Sequence, residues 1–338
     1  MAMLAIDVGY GYTKAVSGVG AKVCFPSVVA PGGQDALGIS NLFGNSGPGH
    51  AVSVRGLNES VARHLVGEAA RESYAASGFL GAEKPAEMHD TLLLTAAYLA
   101  GGGDAKPVPE RADSLVVGLP LAFYRVQRQA VQERLEQLVA HVSVDGGEER
   151  RFSFGKVLVV PQGAGVVFAQ GLPNGRGFAG VVDVGQYTTD YLLVNLETRK
   201  PLPEACGSLE VGCHLVAKAV GQAVLAKTGY PLPQRMEGHV LRHIQKTGRI
   251  TFRGRELDFA KEYEAAVRDV AAVIARQVLS AWADMAGFVA ATYLAGGGSL
   301  LMRENLLQAF PNAALVADPV FANALGYFAM LSGQLKTS

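Results

Sequence analysis

Cysteine is scarce in this sequence, with only Cys24, Cys206 and Cys213 among 338 residues. So sparse and odd a set excludes a disulfide-stapled scaffold and fits a reducing compartment. Net charge is lacking too, since 30 Lys and Arg are balanced by 30 Asp and Glu. A chain without a basic excess lacks the footprint of a direct nucleic-acid binder, although a local basic patch stays open to it. Charged residues make up only 18% and hydrophobic ones 49%. That excludes disorder as the main state and supplies a large core. No apolar run is long and unbroken enough to span a bilayer. Val157 to Gly175 is interrupted by Pro161, Pro173 and glycines, and Met285 to Met302 by Gly296-Gly297-Gly298, so neither makes a continuous apolar helix. Met1 to Val8 reads as a strand without the basic start of a signal peptide. The tail Ser332 to Ser338 is too short and too weakly amphipathic for an anchor. The expectation is a cytoplasmic protein with no membrane partner.

Glycine, by contrast, is abundant at 41 residues, well above the usual ~7%. No collagen-like period accompanies it, so the glycines belong in tight turns and backbone-lined binding loops. The length predicts roughly two domains. Leu4-Ala5-Ile6 reads as a strand running into Asp7 and a glycine-rich turn, with Thr13 to Val19 and Ala21 to Phe25 as a following hairpin. Pro31 to Gly49 reads as a loop-rich insertion, and Val66 to Tyr74 and Pro85 to Leu99 as helices. Leu115 to Leu119 reads as a buried strand, followed by a helix from about Tyr124 to His141.

The opening layout then returns about half a chain later. Val157 to Val160 predicts a strand stopped by Pro161, with a small-residue helix to Gln170. Gly180 to Asp183 predicts a strand and Thr189 to Leu196 its partner, around a turn at Gly185 to Thr188. Such a repeat suggests two related domains. Phe259, Tyr263, Val267, Val270, Ile274, Val278, Trp282 and Met285 step by threes and fours, one face of a helix of about seven turns. Tyr293 to Ala295 is a short strand into Gly296-Gly297-Gly298-Ser299, and Leu300 to Phe310 reads as a helix. A last helix is expected to start at Asp318-Pro319 and run to about Leu331.

Two segments carry chemistry. Asp7-Val8-Gly9-Tyr10-Gly11-Tyr12-Thr13-Lys14 lets the backbone turn its N–H groups toward phosphate oxygens. Asp7 can hold the water shell of Mg²⁺, which takes few carboxylates. Lys14 returns on the next strand as a point charge for a β-phosphate. The plain alternative is an ordinary hairpin with an exposed Asp. No GKS or GKT follows, and a strand rather than a helix comes next, so this is neither a P-loop nor a dinucleotide fingerprint. Asp183-Val184-Gly185-Gln186-Tyr187-Thr188-Thr189-Asp190 is the second copy. Here Asp183 is expected to face Asp7 across a cleft and share the metal through water. Gly185, Gln186, Tyr187 and Thr188 are expected at the terminal phosphate, and Asp190 anchors the turn.

These paired motifs resemble the two phosphate loops of the actin-fold ATPase superfamily, and within it the ParM/StbA plasmid-segregation family. Gly118 to Tyr124, Pro161 to Gly171, Gly207 to Gly212, Leu294 to Ser299 and Asn323 to Phe328 extend the resemblance over nearly the whole chain. It implies an α/β, actin-like ATPase fold of two related domains around a central nucleotide cleft. Domain I would span 1–156 plus a C-terminal helix at about 319–338, with a loop-rich insertion at about 30–80. Domain II would span 157–318, with a helical subdomain at about 205–280.

The resemblance also implies site residues. Gln162, just after a strand-ending proline, matches the catalytic position, with Asp7 and Asp183 as its metal-handling partners. Plasmid actins often carry Glu there. A Gln cannot act as a general base at neutral pH, but it can orient water toward a γ-phosphate. Slow hydrolysis is the expectation, and helix capping is the plain alternative. Adenosine would rest on Gly296, Gly297, Gly298 and Ser299, with Arg242, Gln245 and Lys246 on a base-flanking helix or merely on a solvated face. The cofactors implied are ATP, with GTP as the alternative, and Mg²⁺. The partners implied are further copies of the chain in a head-to-tail filament and a DNA-binding adaptor.

Competing readings are a non-polymerising nucleotide sensor and a small-molecule kinase of the same superfamily. A kinase calls for an acceptor pocket and usually a carboxylate base, which Gln162 does not supply. A heat-shock chaperone would call for a further substrate domain after Ser338. Cys206, Cys213 and His214 lack compact metal-ligand spacing. His239 and His243 read as surface or packing residues, and the basic stretch Lys246, Arg249, Arg253 and Arg255 as the solvated edge of a hairpin.

Overall fold

The computed structural model describes residues 2–32, 49–57, 59–71, 73, 75–79, 85–105 and 112–336. The stretch expected to be a loop-rich insertion, from Pro31 to Gly49, lies almost wholly outside the described residues, as does Tyr74. Two compact units emerge, Met1–Gln170 with Phe321–Ser338, and Gly171–Val320.

The first unit holds strands β1 (Met3–Val8), β2 (Tyr12–Ser17), β3 (Lys22–Pro26), β4 (Val28–Pro31), β5 (Gly49–Arg55), β6 (Val61–Gly67), β7 (Ser77–Gly78), β8 (Asp113–Leu119), β9 (Val139–Val144) and β10 (Arg150–Pro161). They run in the order β3-β2-β1-β8-β10-β9-β5-β6-β4-β7. β1 pairs antiparallel with β2 and parallel with β8, and β8 pairs parallel with β10. β10 bends at an irregularity between Phe154 and Lys156, so that its first residues pair with β9 instead. The helices are α1 (Glu68–Arg71), α2 (Ala86–Leu99), α3 (Leu121–Gln137), α4 (Ala164–Gln170) and a C-terminal helix, Ala322–Lys336.

The central strands are apolar on both faces because both faces are covered. Leu4, Ile6, Leu115 and Val117 turn to one side, into a core shared with Leu92 and Leu93 of α2. Ala5, Val116 and Val160 turn to the other, against Tyr327 and Leu331 of the C-terminal helix. Each fully buried side chain of this size is worth about 1.5–3 kcal/mol. On that second side α4 and the C-terminal helix meet at glycine. A Cβ at Gly326 would overlap the carbonyl of Gly165, and one at Gly165 would lie 2.7 Å from the Asn323 Cα.

The second unit repeats the strand–hairpin pattern. β11 (Phe178–Val184) pairs antiparallel with β12 (Thr189–Asn195) and parallel with β17 (Val289–Ala295), as β1 pairs with β2 and β8. β13 (Lys200–Pro201) and β14 (Gly207–Leu209) lie on β12, and β18 (Ala313–Leu315) on β17. β15 (Arg249–Phe252) and β16 (Arg255–Asp258) form a separate hairpin. The helices are α5 (Cys213–Thr228), α6 (Gln234–Thr247), α7 (Ala260–Trp282), α8 (Gly297–Leu301) and α9 (Arg303–Ala309). The predicted stripe of α7 is its buried face, with Val267, Val270, Ile274, Val278 and Trp282 in the core of this unit.

Several elements differ from their sequence reading. Val66 and Gly67 end strand β6, paired with His50 and Gly49, and the helix there is only Glu68–Arg71. The helix expected to reach His141 stops at Gln137, where the apolar period changes. Ala140, Val142 and Val144 alternate into the core as strand β9. Leu300 to Phe310 is divided between α8 and α9 at Met302. The last helix starts at Ala322 rather than at Asp318-Pro319, because the Pro319 carbonyl is engaged by the Gly296 N–H at 2.8 Å. The division between units falls after Gln170 rather than at 156, since β10 is bonded to β8 and α4 is packed on the C-terminal helix.

Candidate functional site

In the first unit, Asp7 is the penultimate residue of β1 and is 3% exposed. The β1–β2 register sets Lys14 directly opposite it. Lys14 Nζ reaches Asp7 Oδ2 at 3.2 Å, and Gln162 Nε2 donates to Asp7 Oδ1 at 2.8 Å. Gln162 is buried just beyond β10, where its backbone N–H extends the sheet to the Leu119 carbonyl at 2.7 Å. The parallel neighbours β1, β8 and β10 thus deliver Asp7 and Gln162 to the same strand ends.

This contact orients the Gln162 amide. An ionised carboxylate only accepts, so the nitrogen end must face Asp7, and Oε1 is the end available to accept from a water. Asn323 of the C-terminal helix, a residue named from the sequence only within a helix motif, braces the same turn by accepting from the Gly163 N–H at 3.0 Å.

The Gly9 N–H to Tyr12 carbonyl bond, 3.1 Å long, closes the β1–β2 turn. Not every residue of that turn faces outward. Thr13 is fully buried and its hydroxyl is engaged with that of Ser27 at 2.9 Å. The Tyr10 ring meets Phe79 edge-on, and Tyr12 carries the Arg71 guanidinium over its ring. The part suited to phosphate is therefore the backbone at Gly9 to Gly11, with Lys14 beside it.

In the second unit, Asp183 is the penultimate residue of β11, as Asp7 is of β1. The Gly185 N–H bonds the Thr188 carbonyl at 2.8 Å, the counterpart of the Gly9–Tyr12 bond. Thr188 is buried, and Thr189 Oγ1 donates to the Val211 carbonyl at 2.7 Å. The Ser208 hydroxyl bonds the buried Asp190 carboxylate, so Asp190 holds the base of the hairpin.

The glycine-rich turn after β17 packs on the same strand. Gly296 has φ +81°, and a Cβ there would overlap both the Val184 carbonyl and Asp183 Oδ1. A left-handed backbone and this close approach together demand glycine. Gly298 lies against Val184 and Cys213, whereas a Cβ at Gly297 would meet nothing within 4 Å. Ser299 is fully buried and its hydroxyl bonds the Ala295 carbonyl at 2.6 Å, so that hydroxyl serves the helix start. Arg242, Gln245 and Lys246 are exposed on α6, which packs on α5, α7 and β15.

The donor set at Asp7 suits a hydrated cation. Both carboxylate oxygens already have a partner, yet each keeps a lone pair for a metal-bound water. Among the described residues, no group of three or more His, Cys, Asp or Glu is placed to cage a metal ion. A cation here would be held through water. No helix among the described residues is long and apolar enough to cross a membrane.

Residues 5–165 match the family model for the N-terminal domain of actin-like proteins, and residues 181–308 that for the C-terminal part of archaeal, MreB-like actin homologues. The chain has the actin-like ATPase fold. It is 27% identical over 342 residues to an archaeal actin homologue of Thermoplasma acidophilum, covering 97% of this chain and 98% of that one. It resembles a subunit of a 15-stranded ParM filament from Clostridium botulinum with TM-score 0.84 and 25% identity, over 98% and 99% of the two chains. An archaeal actin homologue in complex with ADP superposes with TM-score 0.76 at 24% identity, over 98% and 100% of the chains.

Proposed function

We propose that the protein is a Mg²⁺-dependent ATPase that assembles into filaments and is regulated by its own slow hydrolysis. The observation that carries this reading is the buried Gln162–Asp7 contact of 2.8 Å, which turns the amide nitrogen to Asp7 and leaves the amide oxygen as the end that can accept from a water. In the proposal, Gly9 to Gly11 and Lys14 hold the inner phosphates, and Asp7 and Asp183 hold the cation through water. Gly185 to Thr188 grip the terminal phosphate. Gln162 orients the attacking water, which suits phosphoryl transfer because positioning and charge stabilisation supply most of its catalysis. Gly296 and Gly297 take the nucleoside, with Arg242, Gln245 and Lys246 beside the base. Domain assignments follow the two units, each of which supplies one hairpin.

Self-association is supported by the likeness to a ParM filament subunit, and adenine nucleotide by the likeness to an archaeal homologue bound to ADP. Head-to-tail contacts between identical copies propagate as a filament whenever the rotation does not close a ring. Plasmid or other DNA segregation through a DNA-binding adaptor, in the cytoplasm, is the role we infer. The balanced charge of the chain suits indirect DNA engagement.

Right-angle light scattering against protein concentration, with and without Mg²⁺-ATP and checked by pelleting, tests the proposal. The expected result is a rise above a critical concentration that decays as ATP is consumed. Nucleotide binding without any rise would replace it with the sensor or kinase reading.

A further inference from the structure

We infer that His214 is a positioning residue for the Gly185–Thr188 hairpin, and that it sets the preference of the site for nucleoside triphosphate over diphosphate. The inference rests on the nucleotide-binding reading above and extends it to a residue outside both phosphate motifs.

Four contacts from the start of α5 converge on the tip of this hairpin. The Cys213 N–H donates to the Gly185 carbonyl at 3.2 Å and the His214 N–H to the Gln186 carbonyl at 2.8 Å. His214 Nδ1 lies 3.2 Å from that same Gln186 oxygen. Its imidazole stacks on the Tyr187 ring, with centroids 4.8 Å apart and planes 27° from parallel. The approach is close enough that a Cβ at the preceding Gly212 would come within 2.8 Å of the Gln186 oxygen.

The chemistry of the Gln186 carbonyl defines the imidazole. A carbonyl oxygen only accepts, so the proton must sit on Nδ1. Burial holds this imidazole below its ordinary titration range, with Lys218 adding to the depression and the Gln186 bond and Glu210 opposing it. The ring is therefore neutral at pH 7 and its tautomer is fixed by the hairpin.

Backbone bonds hold the frame of the tip, from Gly185 to Thr188 within the turn and from the Cys213 and His214 N–H groups to the Gly185 and Gln186 carbonyls, while Gln186 itself is exposed. The side-chain bond and the ring stack of His214 fix residues 186 and 187, which lie between Gly185 and Thr188. A looser tip loses contacts to the terminal phosphate alone, because the inner phosphates and the nucleoside are assigned to the Asp7 hairpin and the Gly296 turn. The signature of the role is thus the ratio of triphosphate to diphosphate affinity.

The experiment is calorimetric titration of the full chain with Mg²⁺-ADP and with a Mg²⁺-ATP analogue whose β–γ bridge resists hydrolysis. It compares the natural protein with His214→Ala, His214→Asn and His214→Phe. For His214→Ala the triphosphate-to-diphosphate preference falls ~10-fold through loss of one hydrogen bond and one ring stack, with ADP affinity within about twofold. His214→Asn keeps a donor for the Gln186 carbonyl and His214→Phe keeps the stack, so each restores part of the preference. If His214→Ala does not fold, the Asn and Phe variants carry the test, each with a smaller loss of the same ratio. Equal weakening of both nucleotides, or an unchanged ratio, overturns the inference and leaves His214 a packing residue. If the natural protein binds neither nucleotide, the underlying reading fails and this one with it.

Discussion

Gln162 and Asp7 lie 155 residues apart in sequence, and their side chains meet at 2.8 Å in the interior of the first unit. The contact fixes which end of the Gln162 amide faces Asp7, and it leaves the amide oxygen as the acceptor. Gln162→Ala removes the acceptor while leaving the Asp7–Lys14 pair in place. Hydrolysis should slow by ~10- to 100-fold, as expected for loss of a water-positioning group. Nucleotide affinity should change less than about threefold. Single-turnover phosphate release beside equilibrium binding separates the two quantities, and unchanged turnover would remove Gln162 from the mechanism.

Asp183→Ala addresses the other strand end. The Asp183 carboxylate packs beside the Gly296 turn, so the variant deletes a charge where the hairpin and the glycine turn meet. Turnover with Mg²⁺ should fall by ~100-fold or more, the scale seen when one preorganised electrostatic group is lost. Steady-state hydrolysis across a Mg²⁺ titration is the measurement. Retained turnover would refute the assigned metal role.

The fold was legible because its signals are local. Asp7 and Asp183 each follow an apolar strand and precede glycine, and the structure places both at strand ends before tight turns. The long helix was legible from Val267 to Trp282 because spacing alone defines its buried face. What could not be read depends on partners distant in sequence. The hydroxyls of Thr13 and Ser299 look available for a ligand in a motif, yet Ser27 and the Ala295 carbonyl occupy them. Asn323 has no local signature for bracing Gly163, 160 residues away. In the sequence His214 stands out only for its neighbouring cysteines, whereas its contacts are with Gln186 and Tyr187. The order of the first unit's sheet beyond β9 has no local signature, because β5 joins it through β9, and β4 pairs with β6 and β7 rather than with the next strand in sequence.

The glycine contact between α4 and the C-terminal helix gives a prediction with an internal control. Gly326→Ala sets a methyl group on the Gly165 backbone, which cannot rotate away. The two helices must separate, at about 3 kcal/mol or more. Gly333→Ala, on the same helix with nothing within 4 Å of the new methyl, should be neutral or stabilising by up to about 1 kcal/mol through helix propensity. Urea unfolding of both variants decides the matter, because a helix-wide propensity effect would move them in the same direction.

Cys213 sets two electrostatic influences against each other. It is the first residue of α5, and a helix N-terminus ordinarily favours the thiolate. Its sulfur, however, faces inward beside Gly298, and burial pushes the thiol up to about 12. Desolvation wins because the partial charge of a helix end acts weakly on a group that has lost its water. Cys206 is likewise raised, with burial as the main cause, while Cys24 is exposed. At pH 8 only ~10⁻⁴ of Cys213 is thiolate, the species that reacts with disulfide reagents. A thiol-exchange assay on the native protein should therefore show rapid modification of Cys24 alone, with Cys206 and Cys213 reacting only after denaturant is added. Raising the pH from 7 to 9 should accelerate Cys24 and leave Cys213 slow. Rapid labelling of Cys213, located by peptide mapping, would mean that the helix end prevails and that the start of α5 opens to solvent.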